Sequence, residues 1–449
     1  MASTYIYRDA TSAVAVQKAT ISFWVKKCGQ GTSQYCFFGG KTGDYSSYSF
    51  YFKFHTDDTI KIVGASGGST LDYKTTAVYR DPAAWYHIVI KLDMTETGTD
   101  RVKLYINGVF ETNYSTQTAM TGTEFYTGKT GYRQFIGYAP SEDTYSSVCL
   151  SHYQYIDGAA LAPTEFGETD ATSGIWKIKT SCYGTPGTNG FCLKMEDRTN
   201  LDLDSSSNAL TMTTSGTGTA TYDNPSNNFC TLSNLSHEAN QTMTNGNNTT
   251  TWSDATLHVQ GTMGMQGGKY YWEIEINENN GEYGVCENGR AYQRAPTTNY
   301  PFYFATNPGT TTTTVYNNQR TGSNSSTFTG TSHENGDVVM MAYDADNGNL
   351  YYGKNGTWEN SGDPTSGATA TGAIVTSIQE RWGGMIVPFQ GSATTSSRTW
   401  EYNFGNGYFG TTSHGETNSD SASIGLFKYT VPSGYYALCT KNIKSQGGI

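Results

Sequence analysis

From Thr20 onward the residues ISFWVKK alternate in the manner of a half-buried strand. Tyr48 to Phe54 (YSFYFKF), Ile60 to Val63, Gln134 to Tyr138 (QFIGY), Leu150 to Tyr155 (LSHYQY) and Gly190 to Glu196 (GFCLKME) read as further strands. Ala162 to Phe166 (APTEF), with Pro163 near its start, is the best helical turn. In the second half, Gly268 to Asn277 (GKYYWEIEIN) puts Trp272, Ile274 and Ile276 on one face and Glu273, Glu275 and Asn277 on the other. YGVCENG from Tyr283, MIVPFQG from Met385, WEYNFG from Trp400 and YTVPSGYYALCTKNI from Tyr429 complete that half.

One device occurs in both halves. Val338 to Tyr343 is a short apolar run, the length of a buried strand. Asp344 to Asn349 is turn chemistry, with Asn347-Gly348 expected to supply positive φ angles. Leu350 to Gly353 returns, and Asn355-Gly356 turns the chain again. Earlier, Tyr86 to Asp93 (YHIVIKLD), the acidic turn Met94 to Asp100, the return strand Val102 to Ile106 (VKLYI) and Asn107-Gly108 repeat the plan. The pattern therefore predicts an all-β chain of two related domains. Asp202 to Asn228 is poor in apolar residues and rich in Ser, Thr, Gly and Asn, which marks a linker or irregular surface strand. The expected division is 1–204, a linker at 205–228, and 229–449.

Composition agrees with strands and turns. Only 15% of the 449 residues are charged, whereas about 25% is ordinary. There are 51 glycines and 34 tyrosines. A net charge of −11 argues against nucleic-acid binding, which needs a basic surface. The N-terminal MASTYIYRDATS does not read as a secretory leader, and no apolar run reaches the ~20 residues of a membrane span. A soluble protein is expected. Of eight cysteines, Cys28 with Cys36 and Cys182 with Cys192 are close enough in sequence to bridge hairpins. Without a leader, reduced thiols are the expectation.

The strand order carries two resemblances. ISFWVKK, WYHIVIKLD from Trp85, VKLYINGV, FIGY and YIDGAALAPTEFGE from Tyr155 resemble a laminin G-like, concanavalin A-like jelly roll over roughly the first 200 residues. That family commonly returns its last strand beside the first, which would place GFCLKME inside the domain. YYWEIEI, GDVVMMAYDADNGNLYYGKNGTW, the P-F strand and the closing F-to-P-x-G-Y resemble a SPRY domain, a binding module in its family. Together the resemblances imply that the two domains are antiparallel β-sandwiches. The two in this order, with GIWKIK at Gly174, YGTPGTNGF at Tyr183 and NPSNNFCTLSNL at Asn224 between them, resemble structural proteins of tailed bacteriophages, especially marine ones. The resemblance implies a virion exterior protein without catalytic activity: a fibre, a capsid decoration or a tail-associated protein. It would be oligomeric in the particle, touch other virion proteins, and recognise host-surface glycan or protein through its loops. No nucleic acid, membrane insertion or cofactor is expected. A purely architectural role is the alternative within that class.

Candidate chemistry follows. Tyrosines and tryptophans in turn-rich stretches are the binding candidates, since aromatic faces stack on sugar rings: Tyr45, Tyr126, Tyr132 and Tyr145 in the first domain, and Tyr292, Tyr300, Trp358 and Trp382 in the second. Packing between subunits would use the same residue types. Glu273, Glu275 and Glu278 (E-x-E-x-x-E) approach the E-x-D-x-x-E spacing of retaining endoglucanases built on the same type of sandwich. Glu273 and Glu278 would then be the catalytic pair of an endo-β-glucanase. The competing reading is the solvent face of an amphipathic strand. Asp344, Asp346 and Asn349, or Asp93, Glu96 and Asp100, are weak calcium candidates, and the first set fails the EF-hand spacing. Gly64 to Gly68 matches GxSxG, but no helical sequence follows. His87 and His152 lie within strand patterns and read as structural.

Overall fold

In the computed structural model the stretch that alternates after Thr20 lies at the centre of a sheet. The structure describes residues 4–446 apart from 13–16, 123–124, 126, 236–240, 254–257, 278–280, 289–301, 307–311, 320–321, 330, 379–384, 393–396 and 415–417. The chain folds as two units, Met1–Ala220 and Thr221–Ile449.

The first unit opens with β1 (Tyr5–Asp9), β2 (Lys18–Lys27), β3 (Gln34–Lys41), β4 (Asp44–Phe54), β5 (Thr59–Ser66) and β6 (Ser69–Val78). It continues with β7 (Trp85–Asp93), β8 (Val102–Ile106), β9 (Val109–Phe110), β10 (Tyr114–Thr118), β11 (Tyr132–Ile136) and β12 (Tyr138–Ala139). It ends with β13 (Thr144–Tyr145), β14 (Val148–Asp157), β15 (Gly167–Thr169), β16 (Trp176–Ile178), β17 (Phe191–Leu193) and β18 (Thr213–Ser215). An eight-stranded sheet runs β10-β6-β5-β4-β3-β11-β1-β18, and a six-stranded sheet runs β17-β14-β2-β7-β8-β9. Between them lies one core, to which β2 gives Ile21, Phe23 and Val25, β4 gives Phe50, Phe52 and Phe54, and β7 gives Ile88, Ile90 and Leu92. These are alternate residues, as the period of two requires. Each such burial is worth about 1.5–3 kcal/mol. The expected helical turn is a short 3-10 turn at Pro163–Glu165.

The second unit contains β19 (Gln241–Thr244), β20 (Thr249–Trp252), β21 (His258–Gln260), β22 (Lys269–Ile276), β23 (Gly281–Glu287), β24 (Phe302–Thr306) and β25 (Thr312–Gln319). Then come β26 (Gly322–Thr329), β27 (Asp337–Asp344), β28 (Asn349–Lys354), β29 (Thr357–Trp358), β30 (Ile386–Ser392) and β31 (Arg398–Asn403). One sheet runs β19-β20-β31-β22-β27-β28-β29, with Tyr436–Ala437 added in parallel beside β22. The other runs β21-β30-β23-β24-β25-β26. Trp272, Ile274 and Ile276 of β22 meet Val339, Met341 and Tyr343 of β27 and Trp400 of β31 in the core.

The closing turn of the repeated device is built alike in both halves. Ile106 faces Val109 across Asn107-Gly108, and Lys354 faces Thr357 across Asn355-Gly356. Both are two-residue turns with positive φ at both positions, 50° and 79° in one and 47° and 87° in the other. Each asparagine also binds the strand beyond. The Asn107 N–H donates to the His87 carbonyl and its side-chain oxygen accepts the His87 N–H, both at 2.8 Å. Asn355 does the same with Val338, at 2.9 and 2.8 Å. Asn347-Gly348 differs from expectation. Asp344 pairs with Asn349, so the loop has four residues and only Gly348 has positive φ.

Phe191–Leu193 lies inside the first unit as expected, paired with β14, but the strand that returns beside β1 is Thr213–Ser215, in the stretch read as a linker or an irregular surface strand. Asp204 is buried, and its carboxylate accepts the Cys192, Ser206 and Leu210 N–H groups. A buried carboxylate with three backbone donors anchors the chain there, despite its polar composition. Cys182 and Cys192 form a disulfide, where thiols were expected.

Limited proteolysis with a protease of broad specificity should therefore spare 203–215 and cut first in the exposed run Gly216–Gly218. Two protected fragments should result. First cuts between Leu203 and Thr213 would contradict the anchoring role of Asp204.

Candidate functional site

A strand with one face in a core has another face to dispose of, and the eight-stranded sheet of the first unit fills its outer face with rings. Ile6 of β1, Phe50 and Phe52 of β4 and Ile136 of β11 point into the core. Tyr5 and Tyr7, Tyr51, and Phe135 alternate with them and point outward. A register shift between Tyr35 and Phe37 puts Tyr35 and Phe38 of β3 on that same outer side, which strict alternation forbids. The short hairpin of β12 and β13 adds Tyr138 and Tyr145. Tyr138 stacks on Tyr5 with centroids 4.7 Å apart and approaches Tyr145 at 4.6 Å. Phe38 lies parallel to Tyr51 at 5.7 Å, and Tyr45 meets Phe38 and Phe135 edge-on at 5.8 Å each. Tyr35, Phe38 and Phe135 are buried, whereas Tyr5, Tyr7, Tyr45, Tyr51, Tyr138 and Tyr145 are half-buried.

Arg133 and Lys53 on this face are paired with carboxylates, and the exposed Asp143 accepts the Tyr138 hydroxyl at 2.9 Å. Arg133 holds Asp9 with two bonds of 2.7 and 2.8 Å and lies 4.5 Å over the Tyr7 ring. The hydrogen bond from Arg133 pulls the Asp9 pKa below its usual value. Lys53 donates to the Tyr35 hydroxyl at 2.7 Å and reaches Glu142 at 3.5 Å. Burial lowers the Lys53 pKa and pushes the Tyr51 phenol up to about 12. The face thus offers tyrosine rings and neutral phenols with local charge compensation. Such a surface suits an uncharged ligand with apolar ring faces and hydroxyl edges.

The aromatic residues singled out in the sequence separate cleanly. Tyr45 and Tyr145 belong to this face. Tyr132 does not: it is a strand residue of opposite parity to Arg133, and it is only 8% exposed. Trp358 is half-buried and packs edge-on to Tyr271 at 6.3 Å, so it supports a secondary core. Tyr126, Tyr292, Tyr300 and Trp382 lie outside the described residues. Tyr5, Tyr7, Tyr51 and Tyr138 were missed. Their signal was strand parity opposite to the core residues, and a search restricted to loops passes over it.

The outer face of the six-stranded sheet is covered instead. Val89 and Ile156 pack beneath Phe166, with Leu161 and Tyr183 around them. Nearby, Trp24 stacks on His87 at 4.8 Å. Trp176 is wedged so closely against Gly108 that a Cβ there would lie 2.5 Å from the indole. The Trp176 Nε1–H donates to His87 Nδ1 at 2.9 Å, and Ser22 Oγ lies 2.9 Å from His87 Nε2. Indole is only a donor, so Nδ1 accepts and the ring proton sits on Nε2. Nε2 therefore donates to Ser22, the wrong polarity for activating a serine nucleophile. Burial lowers the His87 pKa to about 3, which keeps the ring neutral.

Glu273 corrects the solvent-face reading. The outer face of the β22–β27–β28 sheet is covered by Phe427, Tyr435 and Ala437, which pack on Tyr271, Met340 and Tyr351. Glu273 is fully buried under that cover. It accepts the Lys428 N–H at 2.9 Å, the Tyr429 N–H at 2.8 Å and the Tyr271 hydroxyl at 2.8 Å, with Asn403 Nδ2 at 3.5 Å. Burial raises its pKa to about 7 against those hydrogen bonds. The two backbone contacts tie the closing segment down, while Tyr271 of β22 and Asn403 of β31 hold the carboxylate from the sheet itself. Glu275 is half-buried and sits opposite Glu401 in the ladder. Glu278 lies outside the described residues.

The calcium candidates are engaged in local bonds. Asp344 meets Lys269 at 3.0 Å and accepts from Asn347, while Asp346 accepts the Gly268 N–H at 2.7 Å. Asp93 meets Lys18 at 2.8 Å, and Asp100 meets Lys103 at 3.1 Å. Among the described residues no three His, Cys, Asp or Glu side chains stand together as a metal site. Ser66 of GxSxG sits at the tip of the β5–β6 hairpin, paired with Ser69.

Residues 2–165 match the concanavalin A-like lectin/glucanases superfamily, and residues 269–387 match the SPRY domain. The chain thus carries two β-sandwich domains of these types in tandem, and the aromatic face lies wholly inside the first match. No curated protein matches the chain. Similar solved structures include the SPRY domain of human HERC1, at 13% identity over 38% of this chain and 96% of that one, with a TM-score of 0.29. The TRIM65 PSpry domain is 12% identical over 39% and 88%, with a TM-score of 0.30. The native heptameric SAP-like pentraxin from Limulus polyphemus is 16% identical over 35% and 71%, with a TM-score of 0.25.

Glu273 makes a pH prediction. Its pKa in the folded chain, about 7, lies above the ordinary 4.5. The unfolded chain therefore releases this proton first as pH rises. Stability should fall between about pH 4.5 and 7 and then level off, by roughly 3 kcal/mol from this group. Glu273→Gln should remove that slope in denaturant titrations of the second unit. An unchanged slope in the variant would show that another group titrates.

Proposed function

We propose that the chain is a non-catalytic recognition protein of a phage particle exterior, and that it binds neutral glycan on the outer face of the first sandwich. The two domain types support a binding role. The order of segments along the whole chain, which resembles tailed-phage structural proteins, supports the virion setting. The observation that carries the ligand class is the half-exposed Tyr5–Tyr138–Tyr145 stack, continuous with Tyr7 and Tyr45, beside which Arg133 and Lys53 are paired with Asp9 and Glu142 and the Asp143 carboxylate accepts the Tyr138 hydroxyl. A net charge of −11 disfavours anionic polymers at low salt. Weak single sites would gain strength from display of many copies.

The test is binding of arrayed protein to neutral host-surface polysaccharide, compared with whole-cell adsorption. Tyr5→Ala with Tyr145→Ala should weaken monomer binding roughly tenfold, since each ring contact is worth about 0.5–1.5 kcal/mol. The melting temperature should change little, because both rings are half-exposed. Trp358→Ala should instead lower stability and leave affinity intact. Unchanged affinity in the tyrosine variant would remove the site. Failure of that variant to enter particles, with its glycan affinity intact, would make this face a contact between subunits.

A further inference from the structure

The cysteine nearest Cys28 in space is not Cys36. The Cys28 and Cys149 sulfurs are 3.7 Å apart, although 121 positions separate them in sequence. Both occupy places where the chain crosses between the sheets of the first unit. Cys28 is the first residue after β2, where the chain leaves the six-stranded sheet for β3 in the other. Cys149 is the second residue of β14, just after the chain arrives from the β12–β13 hairpin. The backbone already clamps the two crossings together, since the Cys28 and Gly29 N–H groups both donate to the Ser147 carbonyl at 3.2 Å. Cys36 is 0% exposed, and burial pushes its thiol well up, so it is a poor nucleophile. Cys149 is half-buried and gives a reagent its way in, whereas Cys28 is 2% exposed beneath it.

We propose that Cys28 and Cys149 are a second disulfide site, closed by exchange with a small-molecule disulfide such as oxidised glutathione. The Cys149 thiolate attacks one glutathione sulfur, forming a mixed disulfide and releasing one glutathione thiolate. The Cys28 thiolate then attacks Cys149 Sγ of that mixed disulfide and releases the second. One glutathione disulfide is reduced to two thiols, and two protein thiols become one disulfide. The sulfurs close from 3.7 Å to about 2.0 Å. Both cysteines sit at strand ends, where side-chain rotation and small backbone shifts cost least. The bond closes a loop of 121 positions and staples both crossings at one end of the sandwich.

The test uses the full chain, equilibrated in reduced or oxidised glutathione, quenched with iodoacetamide and mapped by peptide mass spectrometry. A Cys36→Ser background makes the Cys28 assignment unambiguous. The expected result in oxidised glutathione is a Cys28–Cys149 cross-linked peptide and a rise of about 5–10 °C in the first unit's melting midpoint. Both should be absent in Cys149→Ser. Cys28→Ser should stop the sequence halfway, leaving a stable glutathione adduct on Cys149, and this readout does not depend on the behaviour of the Cys149 variant. If both thiols remain alkylated in the folded, oxidised chain, or if the adduct on Cys149 persists with Cys28 present, the proposal is overturned.

Discussion

Side chains alternate across a strand, so a sheet that commits one face to a core must still settle what its other face does. This chain answers in two ways. Three sheet faces show it: the six-stranded outer face of the first unit is roofed by Phe166 and Trp176, and the β22–β27–β28 face of the second is roofed by Phe427 and Tyr435. The eight-stranded face of the first unit is left half open, and it is there that tyrosines gather. Roofing has a chemical consequence, because polar groups under it lose water and need partners. His87 and Glu273 both became fully buried in this way, one neutral between Trp176 and Ser22, the other gripped by backbone donors. The open face needs no such accommodation for its phenols, yet it pairs its own Arg133 and Lys53.

The strands were legible because their period is local. Ile21, Phe23 and Val25, or Trp272, Ile274 and Ile276, announce a core face without reference to any other strand. The Asn-Gly turns at 107–108 and 355–356 were legible for the same reason, since positive φ at two successive residues leaves few choices, whereas Asn347-Gly348 sits in a longer loop that the dipeptide does not reveal. Roofing was less legible because it depends on segments far away in sequence. Glu273 alternates with tryptophan and isoleucine and so reads as solvent-facing, but Lys428 and Tyr429 come back over it from more than 150 positions later. A clue was present in the neighbouring strand. Val338 to Tyr343 is apolar without alternation, the mark of a sheet covered on both sides. A strand paired with it shares that cover.

The candidate site was only partly legible. Tyr45 and Tyr145 are found on the aromatic face, but Tyr132, one residue out of parity, is turned inward. The register shift in β3 could not be read from composition, and it alone brings Tyr35 and Phe38 to one side. The same long-range dependence explains the 205–228 stretch. Its polar composition resembles a tether, whereas Asp204 and the pairing of Thr213–Ser215 with Tyr5–Tyr7 hold much of it in place.

The paired Asn-Gly turns, two of the nine Asn-Gly steps in the chain, also bear on how the molecule ages. An asparagine followed by glycine loses ammonia when the next backbone nitrogen attacks its side-chain carbonyl, and glycine offers that attack no steric shield. The product is largely isoaspartate, which threads an extra methylene into the main chain. A two-residue turn has no slack for it. In both turns the asparagine oxygen is tied to the amide of a neighbouring strand, His87 in one and Val338 in the other. Ring closure must first undo that tie. At each of these two turns, deamidation is thus gated by the opening of one hydrogen bond to the neighbouring strand.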